Sequence, residues 1–373
     1  MDLSNWGGTN PGYVVDGCFQ DINTTTREVN FQWCSLDWVP VEDTYIYLPN
    51  SGLYSNGNSG LGTEADPWDY FHINAIDKNS EGDYLVSSRY TDTIYKVAGA
   101  NSPFPGSIIW YLNGVNNDFE LINGLNFSRQ HHVRFISTGE TETTITLFDN
   151  ASDGSAASAN ATSGMVITVN NATMTAYLAR QYVNPDGLIA VSQGSVQTLA
   201  NTNVFIGWGQ KPYYSEFAED GTLLYHAVYG PGLQGMMSFR TWKHDWVGTP
   251  ASPPTLVAYA QACNASTYAY VSWNGATEVD HWVFLTSASA DGPWEFVTQT
   301  KKQGFETQMW LTPATPVKGV YVLAEAYDGC GKRLGRSSAM RVFVPGEELA
   351  ASCGATRCVD GTDYWEYGNA VVC

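Results

Sequence analysis

One short pattern occurs three times in the N-terminal part of the chain, and it restricts the possible folds more than any other feature. In each copy a polar residue opens a short strand pattern, which runs through a polar turn into an apolar strand. The three copies begin at His72, His131 and Gln193. This regularity predicts that the three polar side chains occupy equivalent places in successive units, and that they converge on one site if the units are arranged radially.

The repeated units are typical of four-stranded antiparallel sheets. Residues 68–114, 127–183 and 188–228 each contain segments of alternating polar and apolar residues that are separated by turn residues. Repetition of such a unit favours a β-propeller over a single large sandwich, which is the alternative. Two more strands are expected within residues 1–39, and residues 238–248 are expected to form a closing strand.

A six-bladed propeller is therefore expected over residues 1–248. The sequence supplies only about four such units, so we expect that an N-terminal portion is missing from it. The first residues, MDLSNWGG, do not form a signal peptide, which agrees with that expectation.

The texture of the chain changes after residue 248. Residues 249–256 are rich in proline and are expected to form a linker. Short strand patterns follow, and with Trp273 near their centre they predict a fibronectin-like or immunoglobulin-like β-sandwich over residues 257–346. Residues 347–373 are too few for a core of their own, and we expect a C-terminal tail held by a disulfide.

Composition and charge exclude some classes of partner. Hydrophobic residues make up 43% of the chain and charged residues only 15%, which is typical of an all-β protein with a sizeable core. The formal net charge of −19 argues against nucleic acid and against an anionic membrane surface as partner. No apolar run approaches the roughly 18 residues that a membrane helix needs.

Sequons and cysteines indicate a secreted protein. Six Asn-X-Ser/Thr sequons are expected to carry glycans: Asn23, Asn126, Asn150, Asn160, Asn171 and Asn264. The cysteines form no CxxC metal pattern, so disulfides are expected among Cys18, Cys34, Cys263, Cys330, Cys353, Cys358 and Cys373. Their odd number leaves one unpaired. Cys263 and Cys330 both fall inside the predicted sandwich and could pair with each other.

Several motifs resemble those of the fungal arylsulfotransferase-like family, and the resemblance extends over about residues 12–280. The motifs are PWDYFHINAID, FSRQHHVRF, VSQGSVQTL, FIGWG and YSEFAEDG. Members of this family look like secreted β-propellers, often followed by a small sandwich. The resemblance implies transfer of a sulfuryl group from an aryl sulfate to a phenol through a histidine. It implies a small aromatic molecule as partner, and it requires neither a nucleotide sulfate donor nor another cofactor.

The same resemblance points to particular residues. His72 and His131 match the family's histidines by their place in the motifs. Neutral imidazole can accept a sulfuryl group. Arg134 is the third predicted catalytic residue. Gln193 stands where a third histidine is needed, and an amide cannot accept the group. Fixed donors must stabilise the sulfuryl oxygens. The predicted substrate-binding residues are Asn74, Arg89, Gln130, His132, Gln193, Trp68 and Trp208.

Other interpretations of these residues remain open. The histidines can be core residues that tie neighbouring units together, and the tryptophans can be packing residues. His131 and His132 are adjacent, so both can face one site only if a bulge interrupts the strand. Zinc or copper at the histidines is a weaker alternative, since no carboxylate stands at a matching repeat position. We therefore expect no metal.

Two other functions compete with sulfuryl transfer. A secondary-metabolism enzyme of the same fold would steer a cyclisation or a hetero-Diels–Alder type cycloaddition of a reactive aromatic or polyketide intermediate by positioning it. That function needs no nucleophile and therefore tolerates Gln193. A non-catalytic binding propeller is the third alternative.

Overall fold

The structure is a computed structural model that describes residues 1–51, 59–230, 235–260, 266–311, 321–344 and 371–372. The predicted all-β class is confirmed. The described residues contain many strands, and their only helices are single 3-10 turns at Ser4–Trp6, Ser35–Asp37 and Val41–Asp43. No helix among these residues has the length and apolar character needed to cross a membrane. The chain divides into two compact units, residues 1–243 and 244–373.

The first unit begins with a hairpin of β1 (Cys18–Ile22) and β2 (Val29–Cys34), in which a disulfide joins Cys18 to Cys34. Three larger sheets follow in chain order, and consecutive strands pair in antiparallel fashion. The first sheet contains β3 (Ile73–Lys78), β4 (Tyr84–Ser88), β5 (Thr93–Val97) and β6 (Ile108–Leu112). The second contains β7 (Glu120–Ile122), β8 (His131–Thr138), β9 (Glu142–Asp149), β10 (Ser163–Asn170) and β11 (Thr175–Val183), with β7 parallel to β11. The third contains β12 (Ser195–Thr198), β13 (Val204–Gly207), β14 (Tyr213–Phe217) and β15 (Leu223–Val228).

Apolar side chains lie between successive sheets of the first unit. Leu85 and Ile94 of the first sheet share a core with Val133 and Ile145 of the second. Phe148 of the second sheet shares another core with residues of the third. Each fully buried Leu, Ile, Val or Phe stabilises the fold by about 1.5–3 kcal/mol. This packing places the first strands of the three sheets, β3, β8 and β12, next to one another.

The second unit consists of two sheets. One contains β16 (Thr255–Ala260), β17 (Thr267–Ser272), β20 (Glu306–Leu311), β24 (Phe343–Val344) and β25 (Val371–Val372). The other contains β18 (His281–Ser287), β19 (Glu295–Lys301), β21 (Tyr321–Tyr327), β22 (Arg333–Arg336) and β23 (Met340–Arg341). Alternate residues of both sheets, such as Val271 and Phe284, form one common core. The period-2 pattern of the sequence therefore becomes a pair of half-buried sheets.

The predicted closing strand at residues 238–248 is wrong, because these residues form no strand. Residues 238–243 instead run beside β12 and bond to its side chains. The Thr241 amide donates to Ser195 Oγ at 3.0 Å, and the Lys243 amide donates to Gln197 Oε1 at 2.8 Å. Side chains take the place of the backbone ladder that a strand would need.

Among the predicted disulfides, the structure shows one, between Cys18 and Cys34. Cys330 is exposed and has no disulfide partner among the described residues. The other predicted half-cystines lie outside the described residues, so their pairing stays a prediction: Cys263, Cys353, Cys358 and Cys373.

Candidate functional site

The site lies where β3, β8, β12 and residues 237–242 meet. Asn74 Nδ2 donates to the Gln130 carbonyl at 2.8 Å, which joins β3 to the start of β8. The Val196 amide donates to His132 Nδ1 at 3.1 Å, which joins β12 to β8. Arg240 Nη2 donates to the Asn74 carbonyl at 3.2 Å and brings the last segment back to β3. Four segments that are distant in sequence thus enclose one place.

The backbone shows which residues of the three repeats are equivalent. His72, Arg129 and Gln193 have left-handed φ angles of 54°, 55° and 62°. In each case the carbonyl of the preceding residue accepts a bond from an amide that follows the second strand of the repeat unit, at 3.2, 3.1 and 3.1 Å. A non-glycine residue in the left-handed conformation destabilises the fold by about 1–2 kcal/mol. The backbone bond beside it is therefore needed to hold the turn. The predicted equivalence of His131 with His72 and Gln193 is therefore wrong, and Arg129 takes that place.

His72 has the geometry of a histidine that a carboxylate orients. Its Nδ1 lies 2.5 Å from Asp69 Oδ2, and its backbone amide donates to Asp69 Oδ1 at 2.9 Å. Its ring packs against Tyr90 with the ring centres 4.7 Å apart. A carboxylate at Nδ1 favours the tautomer that leaves a lone pair on Nε2. No described residue bonds Nε2, and 40% of the side chain is exposed, so this lone pair can reach a ligand.

His131 is a buried tie between sheets rather than an available nucleophile. Its Nδ1 donates to Asn150 Oδ1 at 2.7 Å and to the Arg129 carbonyl at 3.1 Å, and its Nε2 accepts the Gln193 amide at 3.3 Å. Burial lowers the pKa of His131 to about 3, so the ring is neutral. The lone pair that could attack sulfur or bind a metal is already used. The prediction that His131 is catalytic is therefore wrong on geometric grounds.

His132 is also buried and neutral. Its Nδ1 accepts the Val196 amide, its ring meets Trp242 edge-on at 5.0 Å, and burial lowers its pKa to about 2. An irregularity in the pairing of β8 with β9 between His131 and Arg134 supplies the bulge that both histidines need. The two adjacent side chains therefore both reach β12 and the turn before it.

Three arginines converge on the same place without carboxylate partners. Among the described residues, Arg89, Arg134 and Arg240 form no ion pair, and their guanidinium groups donate to carbonyls of Val191, Ile76 and Asn74 at 2.9, 3.2 and 3.2 Å. Burial and the nearby Arg134 lower the pKa of Arg240 to about 10, and burial lowers the pKa of Arg134. Like charges in a partly buried place favour an anion as ligand. The sequence analysis missed Arg240, because nothing in its own segment shows which strands it will contact.

Five buried polar atoms of this region have no partner among the described residues: Asn74 Oδ1, Arg89 Nε, Gln130 Oε1, His132 Nε2 and Gln193 Oε1. Such atoms are rare in folded proteins because an unpaired buried polar group costs about 1–3 kcal/mol. Gln193 also places its Nε2 3.3 Å from Met237 Sδ. Donors and acceptors that are already desolvated are available to a polar ligand at low cost.

Three of the predicted binding residues serve the fold instead. Gln130 is fully buried, and its Nε2 donates to the Ser88 and Thr93 carbonyls at 2.9 and 3.2 Å. Trp68 is fully buried and donates to the Ile46 carbonyl at 3.1 Å. Trp208 is fully buried and donates to Ser215 Oγ at 2.7 Å. These assignments are therefore corrected, since no face of these side chains reaches a ligand.

The sequons differ in accessibility. Asn23, Asn126 and Asn160 are exposed, Asn171 is partly buried, and Asn264 lies outside the described residues. Asn150 is fully buried, and its Nδ2 donates to the Ala190 carbonyl at 2.6 Å and the Gln193 carbonyl at 3.1 Å. A glycan at Nδ2 would break both bonds, so the structure argues against the predicted glycan at Asn150.

Comparison with known proteins gives one family match. A family model described as arylsulfotransferase (ASST) matches residues 1–230. No curated protein sequence matches the chain at a significant level.

Solved structures give only distant likenesses. One is a protein of unknown function from Bacteroides caccae, at 10% identity over 89% of this chain and 96% of that chain, with a TM-score of 0.32. Another is a streptogramin B lyase, at 10% identity over 79% and 72%, with a TM-score of 0.28. A third is a PQQ-bound aldose sugar dehydrogenase from Streptomyces coelicolor, at 11% identity over 73% and 84%, with a TM-score of 0.27. Scores this low carry no argument about this chain.

Proposed function

Because the chain belongs to the arylsulfotransferase (ASST) family, we propose that it transfers a sulfuryl group between small phenolic molecules, with His72 as the residue that accepts the group. The observation that carries this proposal is the pairing of one oriented, accessible histidine with three arginines that lack carboxylate partners. A sulfate ester carries the negative charge that such arginines bind.

The chemistry needs a nucleophile, and His72 is the candidate histidine with the geometry for it. The lone pair of Nε2 attacks the sulfur of an aryl sulfate, and the N–S bond forms as the bond from sulfur to the aryl oxygen breaks. The acceptor phenol then attacks sulfur, the N–S bond breaks, and solvent carries the acceptor's proton to the departed phenoxide. Asp69 stabilises the positive charge that the imidazole carries between the two steps.

The arginines donate hydrogen bonds to the sulfuryl oxygens. Arg89 and Arg240 flank the neighbourhood of His72, since Arg89 lies over the Tyr90 ring that also packs on His72, and Arg240 bonds the carbonyl of Asn74. Their remaining N–H groups are fixed donors for the charge that spreads over the oxygens in the transition state. Phe239, 64% exposed beside the Arg240 guanidinium, offers an apolar face to the aromatic part of the substrate.

The proposal extends to architecture and location. The three stacked sheets support a β-propeller whose blades they form, and the paired sheets of the second unit support a fibronectin-like or immunoglobulin-like sandwich. The Cys18–Cys34 disulfide and the exposed sequons at Asn23, Asn126 and Asn160 support a secreted glycoprotein.

The test is release of p-nitrophenol from p-nitrophenyl sulfate in the presence of phenol. We expect His72→Ala to lower kcat at least about 100-fold, and Arg240→Met to lower kcat/KM by about 100–1,000-fold. Matched controls are His281→Ala and Arg180→Met, whose side chains pair with Asp280 and Glu219 rather than with a residue of the site. Release by the wild type that survives His72→Ala, or no release at all, would refute sulfuryl transfer through His72.

A second function is favoured by one observation, the use of both ring nitrogens of His131 in hydrogen bonds within the fold. A single accessible histidine and several desolvated polar atoms also suit an enzyme that steers a cyclisation or cycloaddition of an aromatic intermediate by positioning alone. In that case the protein binds an aromatic ligand, and Gln193→Ala or Asn74→Ala lowers the affinity for it. No sulfuryl group is transferred. Absence of any aromatic ligand would instead favour a binding propeller without catalysis.

A further inference from the structure

A separate cavity of about 310 Å³ lies in the first unit, at the base of residues 151–158. Its volume is at the lower end of the roughly 300–1,000 Å³ that small-molecule sites occupy. It is built on Arg129, whose side chain is 13% exposed and pairs with Asp92 and Asp153. The proposed sulfuryl transfer uses none of its lining residues.

The floor of the cavity is a cluster of paired charges. Arg129 Nη1 donates to both oxygens of Asp92 at 3.1 Å, and Arg129 Nε and Nη2 lie 3.1 and 3.0 Å from Asp153 Oδ2. The second oxygen of Asp153 accepts from the Ser155 amide and hydroxyl at 3.1 and 2.7 Å. Every carboxylate oxygen already has a donor, so an ammonium ion would find little uncompensated charge in this cluster. The net charge of about −1 also disfavours an anion.

The walls are rich in hydroxyl groups and small methyl groups. Tyr45, Ser128, Ser152, Ser155 and Ser158 supply hydroxyls, and Ala156 and Ala157 supply methyls. Tyr45 is 38% exposed and offers an aromatic face. Planar charged groups that bind hydroxyls in pairs, together with an aromatic face for C–H groups, are the chemistry that recognises a sugar ring.

The wall formed by residues 151–158 is tied in place. Ser152 Oγ donates to the Ala156 carbonyl at 2.6 Å, and the Ser158 amide donates to the Ala151 carbonyl at 2.8 Å. The hydroxyls of Ser128 and Ser158 lie 2.6 Å apart and connect this wall to the start of β8. A cavity whose walls are fixed in this way is pre-formed for a ligand.

We propose that this cavity binds a neutral polyhydroxylated molecule the size of a monosaccharide. Arg129 and the serine hydroxyls of the walls bind its hydroxyls, Asp92 and Asp153 hold Arg129 in place, and Tyr45 packs against its C–H face. The site is independent of the sulfuryl-transfer proposal and stands or falls separately from it.

The test is saturation-transfer NMR and calorimetry on the full chain with the methyl α-glycosides of glucose, mannose and galactose, and with myo-inositol. Choline chloride and sodium sulfate form two further arms. We expect saturable binding of at least one neutral probe with a dissociation constant of about 1–10 mM, as suits a ligand of this size. We expect neither choline nor sulfate to compete with that probe.

Ser155→Phe fills the cavity from its exposed rim and should weaken binding at least about 10-fold, and Asp153→Asn should weaken it as well. Ser80→Phe, on an exposed turn between β3 and β4, is the matched control and should leave binding within about 2-fold. A thermal melt of each variant confirms folding. Saturable binding by no neutral probe, equal binding by Ser155→Phe, or competition by choline would overturn the proposal.

Discussion

Acid should destabilise this protein through its two buried histidines, and the size of the effect follows from their pKa values. His131 and His132 are neutral in the folded state, where burial lowers their pKa to about 3 and about 2. In the unfolded chain each binds a proton with a pKa of about 6.5. The unfolded state therefore binds more protons as the pH falls below 6.5, and stability is lost. Between pH 7 and pH 5 each histidine accounts for a loss of about 2 kcal/mol.

Asp149 acts in the opposite direction. It is fully buried, its Oδ1 accepts the Ser128 and Ala151 amides at 3.0 and 2.9 Å, and burial raises its pKa to about 7. A carboxyl whose folded pKa is raised above about 3.8 stabilises the fold at low pH and loses that contribution as the pH rises through 7. When the pH falls from 7 to 5, Asp149 therefore stabilises the folded state by about 2 kcal/mol. The two histidines together have the larger effect. The three groups therefore predict that the free energy of unfolding falls by about 2 kcal/mol between pH 7 and pH 5.

The assay is urea unfolding of the first unit at pH 7, 6 and 5, with the histidine signals followed by NMR over the same range. Asp149→Asn keeps an acceptor for both amides and removes the opposing titration. We expect this variant to lose about 4 kcal/mol over the range in which the wild type loses about 2. Titration of the His131 or His132 signals near pH 6, or equal pH dependence in the two proteins, would refute the reasoning.

Two further predictions concern residues that hold the fold. Removing the Cys18–Cys34 disulfide by Cys18→Ser should lower the free energy of unfolding by about 3 kcal/mol, because the bond closes a loop with a 16-residue separation. Urea unfolding measures this change, and an unchanged midpoint would contradict a stabilising role for the bond. Trp208→Ala should cost about 3–5 kcal/mol of stability yet leave the affinity of the folded protein for an aryl sulfate unchanged, and a selective loss of affinity would show that Trp208 contacts the ligand after all.

Sequence reasoning succeeded where local pattern decides the structure. The alternation of polar and apolar residues in stretches such as Val29–Cys34 predicts strands, because a period of two places successive side chains on opposite faces. It also singled out Asn74 and Arg89, which bond the Gln130 and Val191 carbonyls, while their role in binding stays a prediction. The turns that carry His72 and Gln193 share a left-handed φ angle and the same kind of backbone bond.

It failed where position depends on backbone conformation or on distant packing. The sequence pattern aligns His131 with His72, but the residue whose φ angle and neighbouring backbone bond match those of His72 is Arg129, and the pattern does not reveal either feature. Trp68 and Trp208 are of a residue type that often lines ligand pockets, but both are fully buried in the core. Arg240 directly precedes a segment whose path is set by Ser195 and Gln197, so its approach to Asn74 appears only in three dimensions.

The distribution of carboxylates around the site explains how an acidic chain can keep three arginines available. With a net charge of −19, an unpaired arginine should easily find a carboxylate. The nearby carboxylates, however, already have partners: Asp69 binds His72, Asp77 accepts the Phe135 amide at 2.8 Å, and Asp92 binds Arg129. Because a carboxylate with fixed donors gains little from leaving them, Arg89, Arg134 and Arg240 keep their charge for a ligand.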